Sequence, residues 1–202
     1  MRGLYVITQE TETSANRIFR KTSEAILGGA SFVQFRQKSS DVNLLMDLSQ
    51  AVFEACKNHG AQFFINDRID LAKILQSDGV HLGQSDESVQ NARHILGRSA
   101  CIGQTCHNSL ILMNRAVKEG ADYCAFGSIF KSSTKPNAQK LTIEELKVIG
   151  RTCSVPIVAI GGITIDNATQ VIDAGADVLA ISNAVFGAKD IAEAAHQLTQ
   201  LF

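Results

Sequence analysis

Apolar residues recur along the chain in short consecutive runs, each followed by a longer stretch in which apolar positions return at helical spacing. The runs predict eight strands, near Leu4–Thr8, Phe32–Arg36, Gln62–Asn66, Gly79–Gly83, Cys101–Cys106, Tyr123–Gly127, Pro156–Gly161 and Val178–Ser182. They are rich in β-branched and aromatic residues and lack polar alternation. Such strands are covered on both faces, as in a parallel sheet layered with helices. Between them, Ala15–Leu27 places Ile18, Phe19, Thr22, Ala25 and Ile26 on one face, and Val42–Cys56 does the same with Leu45, Leu48, Val52 and Ala55. Both are near the 3.6-residue period of an amphipathic helix.

Eight β–α units in 202 residues predict a (β/α)8 TIM barrel, with residues 1–202 as a single domain near the lower size limit of that fold. A doubly wound open sheet is the alternative, although such sheets usually stop at about five to seven strands. A short repeat supports the unit structure: Gly29-Ala30-Ser31, Gly120-Ala121-Asp122 and Gly175-Ala176-Asp177 each precede a strand, and Ser77-Asp78-Gly79 resembles them. A glycine there suits the left-handed turn that ends a helix. The one long irregular stretch is the polar loop Lys131–Leu141. A loop of that length in a compact chain is more often functional than accidental.

Composition narrows the partners. A net charge of −1 provides no global field for nucleic acid or a membrane surface, and no apolar run is long enough to cross a bilayer. With a strand starting at Leu4, no signal peptide is expected. Five cysteines, odd in number and without a C-x-x-C pair, predict free thiols in a reducing cytoplasm rather than a zinc site or a disulfide framework. The expected partners are small molecules, with self-association left open.

In a barrel of this kind, chemistry belongs to the strand C-terminal ends and the loops after them. The polar clusters fall there: Gln34, Arg36 and Lys38; Asn66 and Asp67; Gln84 and Asp86; Thr105 and His107; Ser132, Thr134 and Lys135; Gly161 and Gly162; Ser182 and Asn183. Asp67 and Asp86, on neighbouring strand ends, suit Mg²⁺, which keeps waters and binds substrate phosphates. The competing role for each is a helix cap. Arg36 and Lys38 share the parity of Gln34 and suit a diphosphate. Gln34 itself interrupts a buried run, where an amide without a partner is costly. Lys135 is placed either to close over a phosphate or to face solvent. Gly161-Gly162 with Ser182-Asn183 matches the phosphate site that barrels build from their seventh and eighth loops. Thr105-Cys106-His107 does not promise a nucleophilic triad, because neighbouring strand residues point to opposite sides. Cys106 is expected to pack, His107 to orient a loop or move a proton, and Thr105 to touch substrate. His81 is expected to be a hydrogen-bonded structural residue, and His59, His94 and His196 to lie on helix surfaces.

These residues resemble a known family. Leu4-Tyr5-Val6-Ile7-Thr8, Val33-Gln34-Phe35-Arg36-Gln37-Lys38, Ile65-Asn66-Asp67-Arg68-Ile69-Asp70, Gly79-Val80-His81-Leu82-Gly83-Gln84-Ser85-Asp86, Gly127-Ser128-Ile129-Phe130 through Thr134-Lys135, and Val158-Ala159-Ile160-Gly161-Gly162-Ile163 are similar to the thiamine-phosphate synthases. The likeness runs from the first strand to the last helix. It implies condensation of 4-amino-2-methyl-5-(diphosphooxymethyl)pyrimidine with a (carboxy)thiazole phosphate to give thiamine phosphate, with dissociative loss of diphosphate on one Mg²⁺ per site. By motif, Asp67 and Asp86 bind the metal. Gln34, Phe35, Arg36, Gln37, Lys38 and Asn66 form the pyrimidine diphosphate side. Thr105 stands where serine is usual. Ser132, Ser133, Thr134, Gly162, Ser182 and Asn183 form the thiazole phosphate side, and Lys135 acts on the diphosphate. Arg36, Thr105 and Lys135 are the expected catalytic residues. The chain departs from the pattern at Gln37, Ser128, Lys131, Ser132 and the Ser182-Asn183 pair. Two other readings are a thiazole tautomerase of the same superfamily, using His107 as acid and base, and a non-catalytic barrel that binds phosphate ligands.

Overall fold

The computed structural model describes residues 1–131 and 140–202. Eight strands alternate with helices: β1 (Gly3–Ile7), α1 (Ala15–Leu27), β2 (Phe32–Phe35), α2 (Val42–His59), β3 (Gln62–Asn66), α3 (Ile69–Ile74), β4 (Gly79–Leu82), α4 (Val89–Leu96), β5 (Cys101–His107), α5 (Leu110–Lys118), β6 (Tyr123–Phe126), α6 (Ile143–Thr152), β7 (Ile157–Ile160), α7 (Ile165–Asp173) and β8 (Val178–Ile181), followed by the short α8 (Asn183–Phe186) and by α9 (Ile191–Thr199). The strands are all parallel and close into a ring in sequence order, β8 pairing with β1. The fold is the TIM barrel that the apolar runs predict, and every strand boundary lies within one residue of its expected place.

Burial on both faces is the cause. Outward-facing Leu4, Val6, Val33, Phe35, Phe63, Ile65, Val80, Leu82 and Ile102 pack under the helices in the larger core. Inward-facing Tyr5, Phe32, Phe64, Tyr123, Val158 and Val178 fill the lumen near the strand starts. Gly103 makes room there: a Cβ at that position would sit 1.9 Å from Cζ of the Tyr123 ring.

The repeat before the strands has a second function that spacing did not predict. Asp78, Asp122 and Asp177 each accept from a backbone N–H of the strand before: Phe63 at 2.7 Å, Ile102 at 2.7 Å and Ile157 at 2.8 Å. Each aspartate thus ties β3 to β4, β5 to β6 or β7 to β8 where the strands begin. Gly29, Gly120 and Gly175 take the left-handed conformation expected after a helix, but before β4 that conformation falls to Gln76, at φ 50°. None of the five cysteines forms a disulfide.

Candidate active site

The first two strand ends are clamped together. β2 ends at Phe35, so Arg36, Gln37 and Lys38 run in the loop beyond it. Thr8 Oγ1 accepts from the Arg36 N–H at 2.9 Å, and the Gln37 amide donates to the carbonyls of Glu10 (3.0 Å) and Glu12 (3.3 Å). The Arg36 guanidinium pairs with the Glu10 carboxylate. Glu12 is buried and accepts from Arg17 Nε at 2.8 and 3.0 Å, with Lys21 at 3.4 Å. Burial pushes its carboxyl up, but Arg17, the Ser14 N–H and Lys21 outweigh it and hold the group below the usual glutamate range.

Two expected substrate contacts are placed elsewhere. Phe35 is 2% exposed and packs in the outer core, because its parity turns the ring to the helices. Gln37 is occupied as the latch described above, and its Oε1 accepts from Lys38 N at 2.9 Å. Gln34 is buried inside the lumen, as its interruption of the run suggested. Its partner is Tyr5, whose hydroxyl accepts from Nε2 at 3.0 Å.

Asp67 follows β3 directly and sits in the left-handed region at φ 53°. Its N–H donates to His81 O at 2.9 Å, and its carboxylate accepts from Asn66 Nδ2 at 2.7 Å. A non-glycine residue held there is uncommon, and such backbones gather at functional sites. The helix-cap alternative fails for both aspartates. Arg68 occupies the N-cap of α3 without a side-chain bond, and Ser88 caps α4. Asp86 instead folds back to accept from the Gly83 N–H at 2.6 Å. The loop between them is pinned further by Gln104, which donates to Leu82 O (3.1 Å) and Gly83 O (2.9 Å), and by Gln84, which bridges Thr105 O and Arg115.

Electrostatics bring the rim together. Burial first, and then the neighbouring Asp86, push the Asp67 carboxyl above the usual aspartate range, against the pull of Arg36, Arg68 and Lys38. Two carboxylates and two cations from the ends of β2, β3 and β4 therefore share one electrostatic field. Two like charges held in partial burial fit a cation between them. Among the described residues, no group of three or more His, Cys, Asp or Glu side chains forms a metal cage. A pair of carboxylates without a cage is what Mg²⁺ accepts, because water and substrate oxygens supply its other ligands.

The β5 end departs from simple alternation. Thr105 pairs with Ala125 and His107 with Phe126, so β5 carries one extra residue. Phe126 faces outward in the core, and the shift turns His107 from the lumen parity to an exposed position at φ 53°. Cys106 is buried in the outer layer. Thr105 stays inward, and its hydroxyl meets His81 Nε2 at 2.8 Å. His81 is hydrogen-bonded in mid-strand as expected, while His59, His94 and His196 are exposed on helices.

On the opposite side, Gly161 (φ 109°) and Gly162 (φ 60°) follow β7. A Cβ at Gly162 would lie 2.5 Å from Lys131 O, and one at Gly161 2.1 Å from Ser128 Oγ. The two glycines thus let Ser128, Phe130 and Lys131 approach the β7 loop closely. Ser182 and Asn183 begin α8, and Asn183 Oδ1 accepts from Gln9 Nε2 at 3.2 Å. Ser132, Ser133, Thr134 and Lys135 lie outside the described residues. Glu10, Tyr5 and Tyr123 were not singled out by the sequence, since nothing in their spacing marks a contact made across the ring.

The chain is similar to known proteins over its whole length. The family model described as thiamine monophosphate synthase matches residues 4–185. A thiamine-phosphate synthase of Methylococcus capsulatus is 44% identical over 201 residues, covering 100% of this chain and 89% of the relative. The enzyme of the same name from Thiobacillus denitrificans is 42% identical over 200 residues, covering 99% of this chain and 94% of the relative. Among solved structures, a thiamine phosphate pyrophosphorylase from Pyrococcus furiosus superposes with a TM-score of 0.87 at 33% identity, covering 98% of this chain and 94% of the other. No helix among the described residues is long and apolar enough to cross a membrane. The chain belongs to the thiamine monophosphate synthase family and is a transferase of thiamine biosynthesis.

Proposed function

We propose that the rim of this barrel carries out the family condensation by a dissociative route. The C–O bond between the pyrimidine methylene and the diphosphate breaks, and the diphosphate leaves with the electron pair. The thiazole nitrogen then supplies its lone pair to form the new C–N bond, and CO₂ is lost where the thiazole is carboxylated. Such a step needs stabilisation of the leaving group more than a nucleophile or a strong base. The observation that carries this reading is the common field of Asp67, Asp86, Arg36 and Lys38.

Asp67 and Asp86 would hold Mg²⁺. When bound, that ion neutralises charge on the departing diphosphate. Arg36 offers its planar fork to the diphosphate oxygens, and Lys38 adds a point charge beside it. Gln34, Asn66 and Thr105 surround the pyrimidine from the β2, β3 and β5 ends. Phe35 and Gln37 serve by shaping this loop rather than by touching substrate. Gly162, Ser182 and Asn183 form the thiazole phosphate end, where the short α8 matches the extra helix that barrels place beside their phosphate sites. Ser132, Ser133, Thr134 and Lys135 complete the site, with Lys135 on the diphosphate. The free thiols suit a reducing cytoplasm.

The test is diphosphate release from the two substrates, titrated with Mg²⁺ after exhaustive chelation. Release that rises saturably with Mg²⁺ supports the reading. Metal-independent release removes the proposed role of Asp67 and Asp86. Thiazole isomerisation without metal points to the tautomerase, and tight binding without turnover to the non-catalytic barrel.

A further inference from the structure

A chain of polar side chains crosses the lumen, two of its links being tyrosines of the aromatic layer. Gln34 Nε2 lies 3.0 Å from Tyr5 Oη, Tyr5 Oη 3.2 Å from Tyr123 Oη, Tyr123 Oη 3.0 Å from His81 Nδ1, and His81 Nε2 2.8 Å from Thr105 Oγ1. Five strands contribute one residue each. The chain ends on Gln34 and Thr105, two of the side chains placed around the pyrimidine.

The direction of these bonds follows from the donors available. An amide nitrogen only donates, so the Tyr5 oxygen accepts from Gln34. The Tyr5 proton is then left for Tyr123. Burial raises both phenols above their ordinary range, so each keeps its proton. The Tyr123 oxygen accepts from Tyr5, and its own proton goes to His81 Nδ1, its other hydrogen-bond partner among the described residues. An imidazole whose Nδ1 accepts carries its proton on Nε2 and donates it to Thr105 Oγ1. A proton on Nδ1, in the other neutral tautomer or in a protonated His81, would leave one of the two buried phenol protons without an acceptor among the described residues, which is costly. Among the described residues Thr105 Oγ1 has no other hydrogen-bond partner. Its proton therefore remains available to the rim.

We propose that Tyr5, Tyr123 and His81 are positioning residues, forming a one-way hydrogen-bond relay that fixes the Thr105 hydroxyl as a donor toward the reacting groups. This inference rests on the placement of Thr105 in the substrate site given above. The ring stacking of His81 on Tyr123, with centroids 5.6 Å apart and planes 19° apart, holds the imidazole edge in line. Without the relay, Thr105 could turn its proton onto His81 and offer the substrate only lone pairs.

The experiment combines NMR of the wild-type enzyme with a kinetic cycle. Long-range proton–nitrogen correlation should place the His81 proton on Nε2. Tyr123→Phe should move it toward Nδ1 and lower kcat about tenfold, the loss of one hydrogen bond to a developing charge, with a smaller change in KM for the pyrimidine. Tyr5→Phe, one link further away, should act in the same direction and more weakly. Thr105→Ser should restore what Thr105→Val loses. In the Thr105→Val background, Tyr123→Phe should cost nothing more. A wild-type proton on Nδ1 overturns the relay, and so does a Tyr123→Phe loss that persists undiminished without the Thr105 hydroxyl. A slow Thr105→Val beside a normal Tyr123→Phe overturns the relay while leaving the site reading intact. A normal Thr105→Val overturns both for this residue.

Discussion

At the end where the strands begin, Tyr5, Phe32, Phe64 and Tyr123 plug the lumen with rings whose centroids lie 5.4 to 6.3 Å apart in edge contacts. At the end where they finish, Asp67 and Asp86 repel each other, Asp67 sits in a left-handed backbone, and Arg36 is paired to a loop glutamate. The first end is satisfied by ring packing and apolar burial, with the two tyrosine hydroxyls hydrogen-bonded. The second keeps charge that is only partly compensated. The difference shows how a barrel separates its tasks: the plugged end supplies the stability that lets the rim hold costly groups in place.

The comparison breaks first if the plug is not the source of stability. Phe64 is fully buried among the rings, and Phe64→Ala should cost about 3–5 kcal/mol of unfolding free energy, read from urea denaturation. A loss below about 1 kcal/mol would mean that the lumen end contributes little. At the rim the opposite pattern is expected. Asp67→Asn or Asp86→Asn should lower turnover on the order of 10²–10³-fold, as when a group aimed at developing charge is removed. The urea midpoint should hold or rise, because a repulsion is relieved. A large loss of stability with near-normal turnover would return these aspartates to a structural role.

The smallest effect concerns Glu12, which joins the β1 loop to α1. Its carboxyl is held below the usual range in the folded state, so the folded state favours its charged form. That contribution is fully present above the ordinary glutamate range and is lost as pH falls through the folded value. Stability should therefore decline on acidification below the glutamate range. Glu12→Gln should be less stable than wild type near neutrality and closer to it in acid. Parallel pH profiles for the two proteins would remove Glu12 from the account.

The eight strands were legible in the sequence because burial on both faces leaves consecutive apolar residues, a signal that depends on no distant contact. The nearness of Asp67 and Asp86 was legible too, since strand-end positions in a barrel converge on one rim. What stayed hidden depends on geometry across the ring. The extra residue between Thr105 and His107 has no mark in composition, and it moved His107 from the expected lumen parity to an exposed position. The parity argument that favoured Gln34 and Arg36 applied equally to Phe35 in the opposite direction, and turned that ring away from the site. The Arg36–Glu10 pair and the Tyr5–Tyr123 contact join residues on different strands and loops, so only the closed ring reveals them.

Asp78, Asp122 and Asp177 tie β3 to β4, β5 to β6 and β7 to β8, and among the described residues no such aspartate bridges β4 to β5 or β6 to β7. From β3 to β8 ties and seams thus alternate, while the boundaries on either side of β1 and β2 carry no such tie among the described residues. Arg2 Nη2 reaches Phe202 O at 3.3 Å, so head and tail already touch and a short peptide could fuse them. Circularly permuted versions reopened at a seam keep every tie within one continuous piece, whereas those reopened inside a pair place its two halves at opposite extremes of the new chain.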